Sequence, residues 1–69
     1  MKISLENPVG IEFNYLMRAK RNELLAQSDW TQLPDATVDR EAWATYRQAL
    51  RDFPATWTAG PEANFPDTP

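Results

Sequence analysis

Proline placement decides most of what this chain can become. It has six prolines, and four of them stand in residues 54–69. Proline lacks the amide proton a helix interior needs, and its ring disfavours helical backbone in the residue before it. Only two stretches remain long enough, and free enough of breakers, to be helical. One covers about residues 11–28, after the turn chemistry of Asn7-Pro8-Val9-Gly10. The other covers about residues 38–53 and is expected to stop at Pro54. Thr37 or Asp39 can accept from the exposed N–H groups of its first turn, and Glu41 then sits where the helix dipole favours an anion.

Both stretches carry an apolar stripe. In the first, Phe13, Leu16, Met17 and Leu24 fall within about one third of the helical circumference, and Lys20 within that stripe can lead its ammonium outward. In the second, Trp43, Tyr46, Leu50 and Phe53 follow a 3, 4, 3 spacing that makes a narrow seam, flanked by Ala42 and Ala49. The connection between them carries Trp30, Leu33 and Pro34. A linker so apolar is expected to fold down over the helices, because an exposed indole gains nothing. Lys2-Ile3-Ser4-Leu5 alternates as a strand would, but four residues do not make a sheet. The tail has only Trp57 and Phe65 as large apolar side chains, too few to build a core of its own, and is expected to stay extended, held at most by those two aromatics. The expected fold class is all-α: a small antiparallel helical hairpin with a Trp/Pro linker packed on it and a Pro-rich extended C-terminal tail. Its divisions are an extended segment over 1–10, the hairpin over 11–53 and the tail over 54–69.

Chemistry is constrained as sharply. The chain of 69 residues has no Cys and no His, which removes disulfides, thiolate metal sites and the commonest general base. At such a length a single core seldom supplies much net stability, so a partner or self-association would help. The net charge of −3 opposes nonspecific nucleic-acid binding, and the acids Glu6, Glu12, Glu23, Asp29, Asp35 and Asp67 read as scattered, serving solubility. No apolar run approaches the ~20 residues a bilayer requires, and no apolar segment follows Lys2, so a soluble cytoplasmic protein is expected. Asp39 and Glu41 diverge on a helix, and no nucleophile–base set, phosphate loop or metal motif is present. The expectation is a non-enzymatic protein without cofactor or metal.

One ordered set of residues carries more. Arg21, Leu24, Leu25, Ser28, Asp29, Trp30, Thr31, Pro34 and Asp35 are followed by Trp43, Tyr46, Arg47, Leu50, Arg51, Asp52 and Pro54. With their spacings they resemble the small phage tail assembly chaperone family, over residues 18–53. The likeness extends loosely to Phe65-Pro66-Asp67-Thr68-Pro69, where Phe stands in place of a Trp. The resemblance implies a chaperone that helps a tail component, the tail fibre or the tape-measure protein, to fold or assemble in the cytoplasm of the bacterial host. Two alternatives stand beside it. One is a permanent structural component of the tail fibre or baseplate, which would remain in the virion tail. The other is an acidic phage-encoded inhibitor of a host protein, which would need its acids gathered on one surface. The partners expected are a phage tail protein and, for self-association, a second copy of the chain, with no nucleic acid and no membrane.

Candidate residues divide in two. The resemblance ties Asp29, Trp30, Pro34, Trp43, Tyr46, Arg47, Leu50 and Arg51 together as a structural motif. Arg40, Arg47 and Arg51 share one flank of the second helix, either as an anion-recognising edge or as partners of Asp29, Asp35 or Trp30. Trp30, Trp43 and Tyr46 are either core or a partner's anchor points. Phe13, Leu16 and Met17, together with Trp57 and Phe65, are the residues assigned to partner binding, with an equal alternative for each: the first three packing near Leu50 and Phe53, the last two packing back onto the hairpin. Arg18, Lys20 and Arg21 read as a solvated helix face rather than a nucleic-acid site.

Overall fold

The computed structural model describes residues 1–5 and 10–69. The turn expected at Asn7-Pro8-Val9 lies outside the described residues. Gly10, at its edge, takes φ 73°, a left-handed conformation that glycine enters without a steric penalty.

Five elements follow in chain order: β1 (Lys2–Ser4), α1 (Phe13–Ser28), a 3-10 turn (Asp29–Gln32), α2 (Arg40–Thr56) and β2 (Glu62–Asn64). Trp30 lies beside Trp43, while Leu25 and Ser28 meet Arg47. The two helices therefore run in opposite directions. Asp39 caps α2: its carboxylate accepts from the Ala42 N–H at 3.0 Å, and its carbonyl from the Trp43 N–H.

The all-α expectation is overturned by β1 and β2. They pair antiparallel in the register Lys2↔Asn64, Ile3↔Ala63 and Ser4↔Glu62. The ladder is extended at both ends, where Leu5 N–H donates to Pro61 C=O at 2.7 Å and Phe65 N–H to Met1 C=O at 2.8 Å. The Met1 ammonium adds bonds to the Phe65 carbonyl and the Asp67 carboxylate, both at 2.6 Å. Three-residue strands are not stable by themselves. This pair is held because Ile3, Leu5, Ala63 and Phe65, on it and beside it, pack against the core side chains of the two helices.

That packing also goes beyond the expectation for the tail. The core contains Leu5, Met17, Leu24, Tyr46, Leu50, Ala63 and Phe65, so both strands and the residues after β2 supply part of it. Phe65 is 1% exposed, and its ring lies 4.7 Å from that of Phe53. Phe53 in turn stacks on Trp57 at 6.3 Å, and Trp57 Nε1 donates to Glu62 C=O across the loop.

Nor does α2 stop at Pro54; it continues to Thr56. A proline in the last turn forfeits only the bond its own N–H would have given Leu50, and its φ suits a helix. The aromatic packing of Phe53 and the bond from Trp57 N–H to Phe53 C=O hold the final turn in place.

Candidate functional site

At the connection end, α1 finishes with no basic residue in its last turn, although its free carbonyls favour a cation there. Arg47 supplies one from α2. Its guanidinium is buried and donates through one nitrogen to Leu25 C=O at 2.6 Å and to Ser28 Oγ at 2.7 Å. The other terminal nitrogen reaches Asp29 Oδ1 at 2.6 Å. Ser28 Oγ passes its own proton to Leu24 C=O, and Thr31 Oγ1 donates to Ser28 C=O at 2.6 Å. No buried side-chain polar atom among the described residues lacks a partner. Arg47 thus caps the C-terminal end of α1 from the neighbouring helix.

The other motif residues separate. Leu50 and Tyr46 are in the core, and burial raises the Tyr46 hydroxyl above its ordinary pKa. Trp43 packs against the core and meets Tyr46 edge-on at 5.6 Å. Arg40 donates to Gln32 C=O at 3.1 Å, tying the start of α2 to the 3-10 turn. Arg51 and Pro34 lie outside the core, Arg51 on the solvent side of α2.

The linker differs from expectation. Its buried residue is Thr31, whereas Trp30 is 49% and Leu33 53% exposed. A 3-10 turn closed by Leu33 N–H on Trp30 C=O is too tight to bring either side chain fully beneath the helices. Trp30 rests against Trp43, with ring centroids 6.4 Å apart.

The residues assigned to partner binding are not equally available. Met17 is fully buried and Phe65 almost so, and both fill the core. Phe13, Leu16 and Trp57 are half-buried against it. Leu16 lines an open groove of about 310 Å³ with Ile3, Leu5 and Ala19. The large apolar side chains most open to solvent are Tyr15, Leu33 and Trp30. Reasoning from the stripe missed Tyr15, although its place off the Phe13–Leu16–Met17 face was the signal for it.

Charge is also less evenly spread than the acids alone suggest. Residues 29–43 hold Asp29, Asp35, Asp39 and Glu41 against Arg40 alone, so the net −3 of the whole chain resides there. Elsewhere acids and bases cancel, with Lys2–Glu62 and Lys20–Glu23 as ion pairs. Among the described residues no cluster of three or more acidic side chains is arranged to hold a metal, and no helix is long and apolar enough to cross a membrane.

What the fold and these surfaces define is a small helix pair, strapped by a two-stranded sheet, with apolar side chains left outside at the connection, Trp30 and Leu33, and at the start of α1, Tyr15. A family model described as phage tail assembly chaperone protein matches residues 15–69, which takes in α2, β2 and all but the first two residues of α1. The chain belongs to that family. Neither the curated proteins nor the solved structures compared with it give a match.

Proposed function

We propose that this protein is a non-enzymatic chaperone that binds a phage tail protein, the tail fibre or the tape-measure protein, in the bacterial cytoplasm during tail assembly. The observation that carries the reading is the family match over residues 15–69. The exposed apolar side chains support it, since Trp30 and Leu33 at the connection end could cover a complementary patch on an unassembled client, and Tyr15, with the exposed edges of Phe13, Leu16 and Trp57, another at the opposite end. A contact this small suits release once assembly has advanced.

Co-expression with the tail-fibre and tape-measure proteins of the same phage, followed by size-exclusion chromatography with light scattering, tests the reading. A discrete complex is expected, with client solubility lost when this chain is omitted and with the chain missing from purified virions. Persistence in virions would replace the chaperone with a structural component of the tail. Elution of the chain alone, beside clients that are soluble without it, would end the reading.

A further inference from the structure

We infer that the client docks on the connection end of the helix pair, and that the docking segment carries a lysine or arginine next to an apolar side chain. The inference rests on the chaperone reading above.

Three observations meet at that end. The first is a rigidly presented apolar ridge. Trp30 and Leu33 are half exposed on one 3-10 turn, and that turn is pinned from beneath by Thr31, which is fully buried and donates to Ser28 C=O. Gln32 and Arg40 exchange hydrogen bonds and pin it from the side. Side chains on backbone already ordered lose little further freedom on binding, which favours them as anchors.

The second is a cleft of about 240 Å³ beside the ridge, lined by Leu24, Ser28, Trp43, Tyr46 and Thr68 among others. Trp43 belongs to both features, because its ring also supports Trp30. A partner lying along the indole of Trp30 would thus find a recess within reach for one apolar side chain.

The third is charge, and it selects the partner. Arg47 is engaged with Asp29, and Asp35, Asp39 and Glu41 are exposed on a segment whose single base, Arg40, is held by Gln32 C=O; the Met1 ammonium at the cleft is paired with Asp67. A cationic residue next to the partner's apolar group would meet complementary charge, whereas a polyanion would be repelled. A second copy of this chain would bring the same acids against them, so self-association through this face is opposed.

The test is calorimetric titration of the full chain with the tail-fibre protein and, separately, the tape-measure protein, at low and at moderate salt. Binding to one of them is expected, weakening as salt rises. Trp30→Ser with Leu33→Ser should raise Kd by about tenfold or more, as loss of anchor residues does. Asp35→Lys with Glu41→Lys should weaken binding comparably and reverse its salt dependence; Asp39 is left intact because it caps α2. Each variant should keep the wild-type circular dichroism, and if the double ridge variant unfolds, Leu33→Ser alone serves, since that side chain is more exposed than Trp30. Wild-type-like binding by these variants, with the complex still formed, would overturn the docking site and leave the chaperone reading standing. Failure of the wild type to bind either protein would overturn both.

Discussion

The two ends of the helix pair are closed by opposite chemistries. The connection end is closed by a buried guanidinium that bonds Leu25 C=O, Ser28 Oγ and Asp29. The open end is closed by rings, with Phe53, Trp57, Ala63 and Phe65 packed together. Polar closure leaves the apolar side chains of its turn outside, because hydrogen bonds alone satisfy the ends of α1. Apolar closure does the reverse and takes the aromatics of the tail into the core. The difference explains why Phe65, for which the chain pattern leaves partner and hairpin equally open, is buried, while Trp30, which that pattern favours as core, is half exposed.

The strongest way to break this comparison is Phe65→Ala. Removing a buried phenylalanine costs about 3–5 kcal/mol, a large part of what so short a chain has in total. Thermal denaturation followed by circular dichroism should show a greatly lowered or uncooperative transition; an unchanged one would mean the strap is not part of the core.

Arg47→Met tests the other end and should cost less, about 2 kcal/mol. It deprives Ser28 and Leu25 of a charged donor, while Asp29, 67% exposed, remains solvated. Asp29→Asn should cost under about 1 kcal/mol, because its side-chain oxygen still accepts and exposed ion pairs contribute little. Urea denaturation of the two variants side by side separates them, and equal losses would assign the closure to the ion pair rather than to the carbonyls of α1.

The pH dependence sharpens the picture further. Burial raises the Tyr46 hydroxyl above its ordinary value of 10.0. A group whose folded pKa is raised stabilises while protonated, so the contribution is full below 10.0 and is lost as pH rises through the folded value. The melting temperature should therefore fall in that alkaline window, and fall less in Tyr46→Phe. Lys2 is raised too, by its hydrogen bond to Glu62 and by that carboxylate's charge, but it stands in solvent. Lys2→Gln is thus the control that should leave the alkaline fall unchanged.

The smallest stability effect is expected at the ridge. Trp30→Ser and Leu33→Ser should each alter stability by about 0.5 kcal/mol or less, as surface changes do. A larger loss in chemical denaturation would show that the indole supports the fold as well as standing outside it.

The two helices are written in the chain because their signals are local: breaker-free stretches, a 3, 4, 3 seam and an acid ahead of α2. The strands are not, for a physical reason. Lys2-Ile3-Ser4 is too short to declare itself, and Glu62-Ala63-Asn64 is made of residues that disfavour strands. They are strands because Ile3, Ala63 and Phe65 have helix surface to cover, a tertiary cause that no window of residues displays. The site divides the same way. The recurring set linking Asp29 to Arg47 pointed toward their contact, but how tightly the turn closes decides that Trp30 stays outside. The acidic end emerges only when bases are counted alongside acids, since the carboxylates alone run the length of the chain.

The register that sets Ile3 opposite Ala63 also has an order in time. Helix contacts join residues close together in the chain and can form early, whereas the strand pair must close almost the whole chain into a loop, which makes it the slower step. During synthesis β1 is made well before β2 and waits for it. Until then Met17 and Leu50 lack the cover that Phe65 and Ala63 give them. For that interval the nascent chaperone carries the same kind of uncovered apolar surface that it is proposed to cover on its client.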